Sequence, residues 1–286
     1  MPEGPEVRRA ADKIERALKE NVIQRVEAPH AAIASVAKKL KGARCLAVET
    51  YGKAFVLRFD RPFAVYVHLQ LYGVWKSGKA SRYQTLNRSL RFTLHTENAY
   101  ASLYSATDIL VLKNFDVPEH PYISKLGIDA LKKETTAESL FSYLKEPKFQ
   151  RRELGLLLLD QKFVAGIGNY LRSEILHIAN IHPDTKLKEL TETDKRELAN
   201  VIKATCTRAY KASGVTTTKE YVKNAKDHGR TRRQYRHYVF GRAERACPTC
   251  KRSIQKITRA GRNLFLCESC QPHPASAQGQ SRYSSQ

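Results

Sequence analysis

The sequence is short of acid. Asp and Glu total 28 against 50 Lys and Arg, leaving a formal net charge of +22. That imbalance points to a polyanionic partner, either nucleic acid or an anionic membrane surface. Long apolar runs are missing too: Leu156–Leu159 with its neighbours falls far short of the roughly 20 residues a membrane span needs. Met1 to Ala10 carries charges where a signal peptide would carry its apolar core, so the expectation is a cytosolic or nucleoid-associated protein. Methionine occurs once, at Met1, which is therefore the initiator. Only six cysteines are present, and without a secretion signal a disulfide framework is not expected. At 286 residues and 42% hydrophobic, the chain can still build packed cores, as one large domain or two ordinary ones.

Apolar spacing from Pro5 to about Lys19 (Val7, Ala10 or Ala11, Ile14, Leu18) predicts a helix, with Pro5 in its first turn, where a missing N–H costs nothing. From Val22 to Lys113 the pattern changes to short β-branched or aromatic runs: Cys45–Thr50, Phe55–Phe59, Ala64–Leu69, Leu90–His95 and Ala99–Tyr104. Turn-like Gly52, Asp60–Pro62 and Lys76–Gly78 separate them, which predicts an antiparallel sandwich or barrel. After prolines at 118, 121 and 147, helices are expected over Phe149–Phe163, Asn169–Ile178 and Glu192–Tyr210. Positive charge concentrates late: Lys203 to Arg262 holds 17 Lys or Arg against three acids. Beyond Gln271 the Pro-, Ser- and Gln-rich tail has little to bury and is expected to be disordered.

Cys247-Pro-Thr-Cys250, sixteen residues, then Cys267-Glu-Ser-Cys270 has the spacing of a four-cysteine zinc site. Two such knuckles complete a tetrahedral shell and leave no position for water, so the metal would be structural; a four-thiolate iron site is the chemical alternative. Between the knuckles Arg252, Lys256, Arg259 and Arg262 alternate with Ile254, Ile257, Leu264 and Phe265, as in a basic hairpin. It either presents Arg262 to a phosphate or is a solvated basic surface. Cys45 and Cys206, in apolar segments, read as buried thiols.

With Met1 removed, Pro2 would expose a secondary amine. An α-amino group, with a pKa of about 7.7–8.0, is neutral in appreciable fraction near pH 7 and can attack a sugar carbon. Glu3 and Glu6 would supply carboxylates for proton transfer; the competing reading is an ordinary helix N-terminus with acids near its dipole. Farther on, Gly166-Ile-Gly168 joins two helical patterns, and the second begins near Asn169 with free N–H groups that suit an anion.

Taken together, Pro2-Glu3-Gly4-Pro5-Glu6, Tyr51-Gly52-Lys53, Gln161 to Tyr170, Tyr238-Val-Phe-Gly-Arg242 and Cys267-Glu-Ser-Cys-Gln271 resemble the formamidopyrimidine-DNA glycosylase and endonuclease VIII family, in that family's order along nearly the whole chain. The resemblance implies an α+β multidomain fold. An N-terminal helix and antiparallel β-sandwich (1–118) would be followed by a helix–two-turn–helix domain (119–237), a zinc ribbon (238–271) and a tail (272–286). It implies Pro2 as nucleophile, Glu3 as general acid/base, Glu6 as an organiser, and Lys53 as a phosphate contact or proton-transfer aid. Asn169 and Arg262 would clamp phosphates beside the lesion. Gln70-Leu71-Tyr72 would fill the space left by a flipped nucleotide; on residues alone the favoured reading is an ordinary strand end with Leu71 and Tyr72 in the core.

His68-Leu-Gln-Leu-Tyr-Gly-Val-Trp75, Arg9-Ala-Ala-Asp12 and Tyr104-Ser-Ala-Thr-Asp108 look like the endonuclease VIII branch, and the purine-directed branch typically places a methionine where this chain has none. The implied activity is excision of oxidised pyrimidines from double-stranded DNA followed by β,δ-elimination, by a monomer holding one structural zinc and no redox cofactor. An oxidised-purine glycosylase and a non-catalytic zinc-ribbon DNA-binding protein are the competing readings. The basic segment 214–237 aligns with neither branch; it reads as a cap over the flipped base or as a DNA-backbone contact.

Overall fold

A computed structural model describes residues 2–274; Met1 and the tail from 275 onward lie outside the described residues. The chain divides into two compact units, one ending at Leu126 and the other beginning at Gly127.

The first unit opens with helix α1 (Gly4–Leu18), whose Val7, Ala11, Ile14 and Leu18 are buried at helical spacing. Strand β1 (Arg25–Glu27) and two single-turn helices, α2 (Ala31–Ala34) and α3 (Ala37–Leu40), lead into β2 (Cys45–Tyr51). There follow β3 (Ala54–Phe59), β4 (Phe63–His68), β5 (Val74–Lys79), β6 (Leu90–His95), β7 (Ala99–Tyr104) and β8 (Asp108–Lys113). They form two four-stranded sheets, ordered β1-β6-β7-β5 and β2-β3-β4-β8, in which every pairing is antiparallel. The expected helix and sandwich are therefore present. Helix α1 shares a core with both sheets through Phe55, Leu57, Val65, Val67, Phe92, Leu94 and Leu103.

Strands β3 and β4 are apolar almost continuously because their sheet is buried on both faces. Ala54, Val56, Ala64 and Tyr66 pack on its other side beneath Val117 and Ile123. Lys76–Gly78, expected to be turn-like, instead lies within strand β5, paired with β7 from Val74↔Tyr104 to Lys79↔Ala99. Gly78 pairs with Tyr100, so the glycine sits within the ladder rather than ending it. Cys45 is a buried free thiol, pushed up to about 12 by desolvation, and Cys206 is likewise a buried thiol outside any disulfide.

The second unit contains β9 (Ile128–Asp129), α4 (Ala137–Leu144), α5 (Leu154–Leu157), β10 (Val164–Ala165), α6 (Asn169–Ile178), α7 (Glu192–Lys211), α8 (Lys219–Asp227), α9 (Arg232–Tyr235), β11 (Gln255–Arg259) and β12 (Arg262–Leu266). Helices α6 and α7 lie where apolar spacing put them. The helix expected over Phe149–Phe163 does not form: only the single turn α5 appears. Leu154, Leu157 and Leu158 are fully buried, and Gly155 lies so close to Pro183 that an added Cβ would approach it to 2.9 Å. Asp160 then diverts the backbone, its Oδ1 accepting from Lys162 N at 2.9 Å while Oδ2 pairs with Arg152 at 2.7 Å. Apolar residues were plentiful there, but local side-chain bonds and loop packing determined the backbone.

Helix α6 is the hub of this unit. It is buried from Tyr170 through His177, so even its polar residues lie inside and must find partners.

Candidate functional site

Among the described residues only four acidic or basic side chains, histidine aside, are buried: Glu3, Lys53, Arg172 and Glu174. Burying charge is costly unless it is paired or used, so each of these four positions calls for a partner or a role.

In the first unit, Glu3 occupies the N-cap of α1, directly after Pro2, and is 3% exposed. Its backbone N–H donates to Glu6 Oε2 at 3.1 Å, which fixes the turn in which Pro2, Glu3 and Glu6 lie together. Lys53 sits in the two-residue turn between β2 and β3, where Tyr51 pairs with Ala54. Gly52 adopts φ +56° there, as the first central position of this hairpin turn requires. The Lys53 backbone N–H donates to Tyr122 Oη at 3.0 Å, and the Tyr122 ring meets His68 edge-on at 5.3 Å. Burial holds His68 below its ordinary range; Asp108 pushes the other way and the Lys53 charge adds to the lowering. A buried lysine thus lies near an imidazole whose charged form burial disfavours.

The loop after β4 is closed by Gly73 N donating to Leu69 O at 2.9 Å, and a Cβ on Gly73 would come within 2.6 Å of that oxygen. Gln70 takes φ +49° and accepts a long hydrogen bond of 3.4 Å from Thr107, in the Tyr104–Asp108 turn. The tightness of the loop forces Leu71 and Tyr72 outward, 65% and 72% exposed. The core alternative for this pair is therefore excluded.

In the second unit, Gln161 braces the Gly166–Gly168 turn, accepting from Gly166 N at 3.0 Å and donating to Ile167 O at 2.9 Å. Gly166 sits at φ +88° and Asn169 begins α6. Arg172, one turn on, donates through Nη1 to Gly155 O at 2.9 Å and through Nη2 to Asn169 Oδ1 at 2.9 Å and Asn263 O at 3.2 Å. Asn169 and the residue following Arg262 thus share one guanidinium. Glu174 accepts from three successive backbone N–H groups, Tyr238, Val239 and Phe240, at 2.8, 2.8 and 2.9 Å, and from Thr216 Oγ1 at 2.6 Å. This accounts physically for the Tyr238–Arg242 motif: it forms an amide nest around a buried carboxylate. Arg172 and Glu174 escaped sequence reasoning. The available signal was Arg172, Ser173, Glu174 and His177 among the apolar residues of one helix.

The ribbon hairpin turns through Ala260 and Gly261, both at positive φ (+51° and +67°), the pattern of a two-residue type I′ turn. Arg262 follows, exposed, while Arg259 on the other side of the turn is held bidentately by Asp184 at 3.0 and 2.8 Å. The four cysteine sulfurs lie within 4.8 Å of one another, with Cys250–Cys267 at 3.3 Å and Cys247–Cys270 at 3.8 Å. Zinc–sulfur bonds of about 2.3 Å in a tetrahedron put sulfurs roughly 3.8 Å apart, so the four residues fit one structural zinc.

Three comparisons with known proteins bear on this arrangement. Residues 1–107 match the formamidopyrimidine-DNA glycosylase N-terminal domain, 126–220 the H2TH domain of the same enzymes, and 246–272 the zinc finger found in FPG and IleRS. The chain belongs to the formamidopyrimidine-DNA glycosylase and endonuclease VIII family. It is 36% identical to proteins named Endonuclease 8 from Enterobacter sp. (strain 638) and from Klebsiella pneumoniae, over 95% of this chain and 100% of each relative. Lactococcus lactis Fpg (MutM), solved with DNA containing N7-benzyl-Fapy-dG, shares the fold at TM-score 0.76 and 22% identity, covering 95% of this chain and 100% of that one. Members of this family are DNA glycosylase and AP lyase enzymes, and the chain is one of them. No helix of the described residues is long and apolar enough to cross a membrane.

Proposed function

We propose that the protein excises oxidised pyrimidines from duplex DNA and cleaves the strand at the resulting site. The observation that carries the reading is the buried Glu3 at the N-cap of α1, one residue from Pro2, in a chain 36% identical to Endonuclease 8. With Met1 removed, the Pro2 nitrogen would attack C1′ of the damaged nucleotide, forming a C–N bond as the glycosidic bond breaks and the base leaves with a proton. Glu3 would protonate the sugar ring oxygen, opening the ring to an iminium ion. Loss of a C2′ proton would then expel the 3′ phosphate by β-elimination. A second proton loss would expel the 5′ phosphate by δ-elimination, leaving a one-nucleotide gap. Glu6 would fix the turn and Lys53 would hold a phosphate or relay protons. Leu71 and Tyr72 are apolar groups held in water by a rigid loop, which suits them to fill the stack after flipping. Asn169 and Arg262 would grip phosphates beside the lesion. The zinc supplies a rigid ribbon and takes no part in these steps.

The pyrimidine preference rests on the Gln70-Leu71-Tyr72 loop and the relatives' name. The fold does not separate the branches, since Lactococcus lactis Fpg has also been solved with DNA containing an oxidised pyrimidine. We read the protein as a monomer working in the bacterial cytoplasm, at the nucleoid. Borohydride trapping on duplexes carrying thymine glycol or 8-oxoguanine tests the whole reading. A covalent adduct with thymine glycol that weakens in Pro2→Gly and disappears when the N-terminal amine is blocked is expected. Trapping mainly on 8-oxoguanine would move the protein to the purine branch, and no adduct even at an abasic site would overturn the amine mechanism.

A further inference from the structure

A concavity of the second unit, about 1080 Å³, is lined by none of the residues assigned above to lesion chemistry or phosphate clamping. It lies between α8, α9 and the first zinc knuckle. Five cations line it, Arg230, Arg233, Arg242, Arg245 and Lys251, and no Asp or Glu does. None of the five makes an ion pair among the described residues, although ion pairs occur elsewhere in the same unit, such as Arg259 with Asp184 and Arg152 with Asp160. Cys247 forms part of the wall, and zinc on four thiolates carries a formal charge of two minus. Even with that whole charge credited to the basin, three of its five cations remain uncompensated. Like charges gathered around a concave surface repel one another, and an anion within it would relieve the repulsion.

The remaining lining identifies the type of anion. Arg242 is committed to the floor, donating to Tyr221 Oη at 3.3 Å, His237 O at 3.2 Å and Ala246 O at 3.2 Å. Arg230, Arg233 and Arg245 are exposed at the rim. Gln234 Oε1 accepts from Thr231 N at 2.7 Å and Oγ1 at 3.0 Å, which leaves its amide NH2 as a donor. Asn224 adds a second exposed amide, and the Tyr221 ring, packed against Tyr238 at 5.2 Å, adds an aromatic wall. Cavities of about 300–1,000 Å³ suit drug-sized ligands, so this one is larger than a lone phosphate requires. Guanidinium groups for successive phosphates, with amides and a ring for base edges, match an unpaired nucleic-acid strand, whose bases are accessible as those of a duplex are not.

We propose that this basin is a second nucleic-acid site, which takes a short single-stranded segment through its phosphates. The proposal rests on the protein being a DNA enzyme but not on its excision chemistry. It also assigns part of the basic 214–237 segment to backbone contact.

The test is fluorescence anisotropy with zinc-loaded full-length protein and a labelled, undamaged oligothymidylate over a series of salt concentrations. Arg233→Ala/Arg245→Ala should weaken binding at least tenfold and flatten the salt dependence by about 1.4, at about 0.7 per phosphate contact on a single strand. Arg233→Lys/Arg245→Lys should restore the slope, and Lys38→Ala/Lys39→Ala, on the first unit, should leave it unchanged. Zinc content and thermal midpoint should match the parent in every variant. An unchanged slope in the alanine pair, or an equal loss in the Lys38/Lys39 pair, would overturn the proposal. So would loss of tripolyphosphate binding with oligonucleotide affinity intact, since the basin would then serve free polyphosphate. Undamaged strand yields no borohydride adduct, so failure here and failure of the excision reading are separately visible.

Discussion

Arg172 Nη2 donates to Asn169 Oδ1 at 2.9 Å from a guanidinium that is completely buried. The same nitrogen reaches Asn263 O, so the start of α6 and the strand carrying Arg262 are braced by one side chain. Nη1 holds Gly155 O at the same time, and a lysine, with one nitrogen in place of the planar fork, cannot keep all three bonds. Arg172→Lys should therefore lower affinity for abasic-site DNA about tenfold. Asn169→Ala should then cost less in that background than in the parent, and a double-mutant cycle on Kd reads this coupling. Full additivity would mean that the two residues act independently.

Glu3→Gln keeps the size of the side chain but removes the carboxylate to which proton transfer is assigned in the proposed mechanism. Base excision should fall by at least about a hundredfold, within the range that general acid–base catalysis supplies, while binding to abasic-site DNA stays within about twofold. Single-turnover excision of thymine glycol alongside a binding isotherm checks both halves. Excision at the parent rate would remove Glu3 from the mechanism.

Leu71 and Tyr72 face solvent, so replacing them should barely disturb the fold. Leu71→Ala/Tyr72→Ala should shift stability by no more than about 0.5 kcal/mol yet slow excision from duplex DNA about tenfold. Excision from a single strand, where no stack has to be filled, should change little. A drop in thermal midpoint would indicate a packing role instead.

Cys267→Ser removes one of four zinc ligands and should lower zinc content together with DNA affinity, because metal binding and ribbon folding are coupled. Arg262→Ala should retain zinc but weaken binding, lowering the salt slope by about one unit as one duplex phosphate contact is lost. Metal analysis of the two proteins separates the effects.

His237 lies beside Thr216 and Glu174 and is pushed down to about 4, chiefly by burial. A histidine held neutral in the fold ionises more readily once unfolded. Its stabilising contribution is therefore complete above about pH 6.5 and is lost as pH falls toward 4. The full effect is about 3 kcal/mol, and about 1.4 kcal/mol of it disappears by pH 5.5. Burial also lowers His177 and His182, which reinforces the trend. Thermal midpoints should drop by several degrees between pH 7.5 and 5.5, and His237→Gln should flatten that dependence with zinc content unchanged.

The sequence by itself determined the features whose causes are local. The zinc ligands were legible because a tetrahedral site needs two close cysteine pairs, and α6, α7 and most strands because apolar periodicity selects a buried face. The resemblance led directly to Pro2, Glu3 and Lys53. Tertiary structure decided whatever depends on distant partners. Leu71 and Tyr72 are exposed because Gly73 closes their loop, not because of their own character. Phe149–Phe163 gave up its helix to Pro183 and to the side-chain bonds of Asp160. Arg172 and Glu174 acquire meaning only when Asn263 and the Tyr238–Phe240 amides, more than sixty residues away, arrive beside α6. Apolar spacing shows that a side chain is buried, whereas a buried charge is explained only by the groups the fold brings to it.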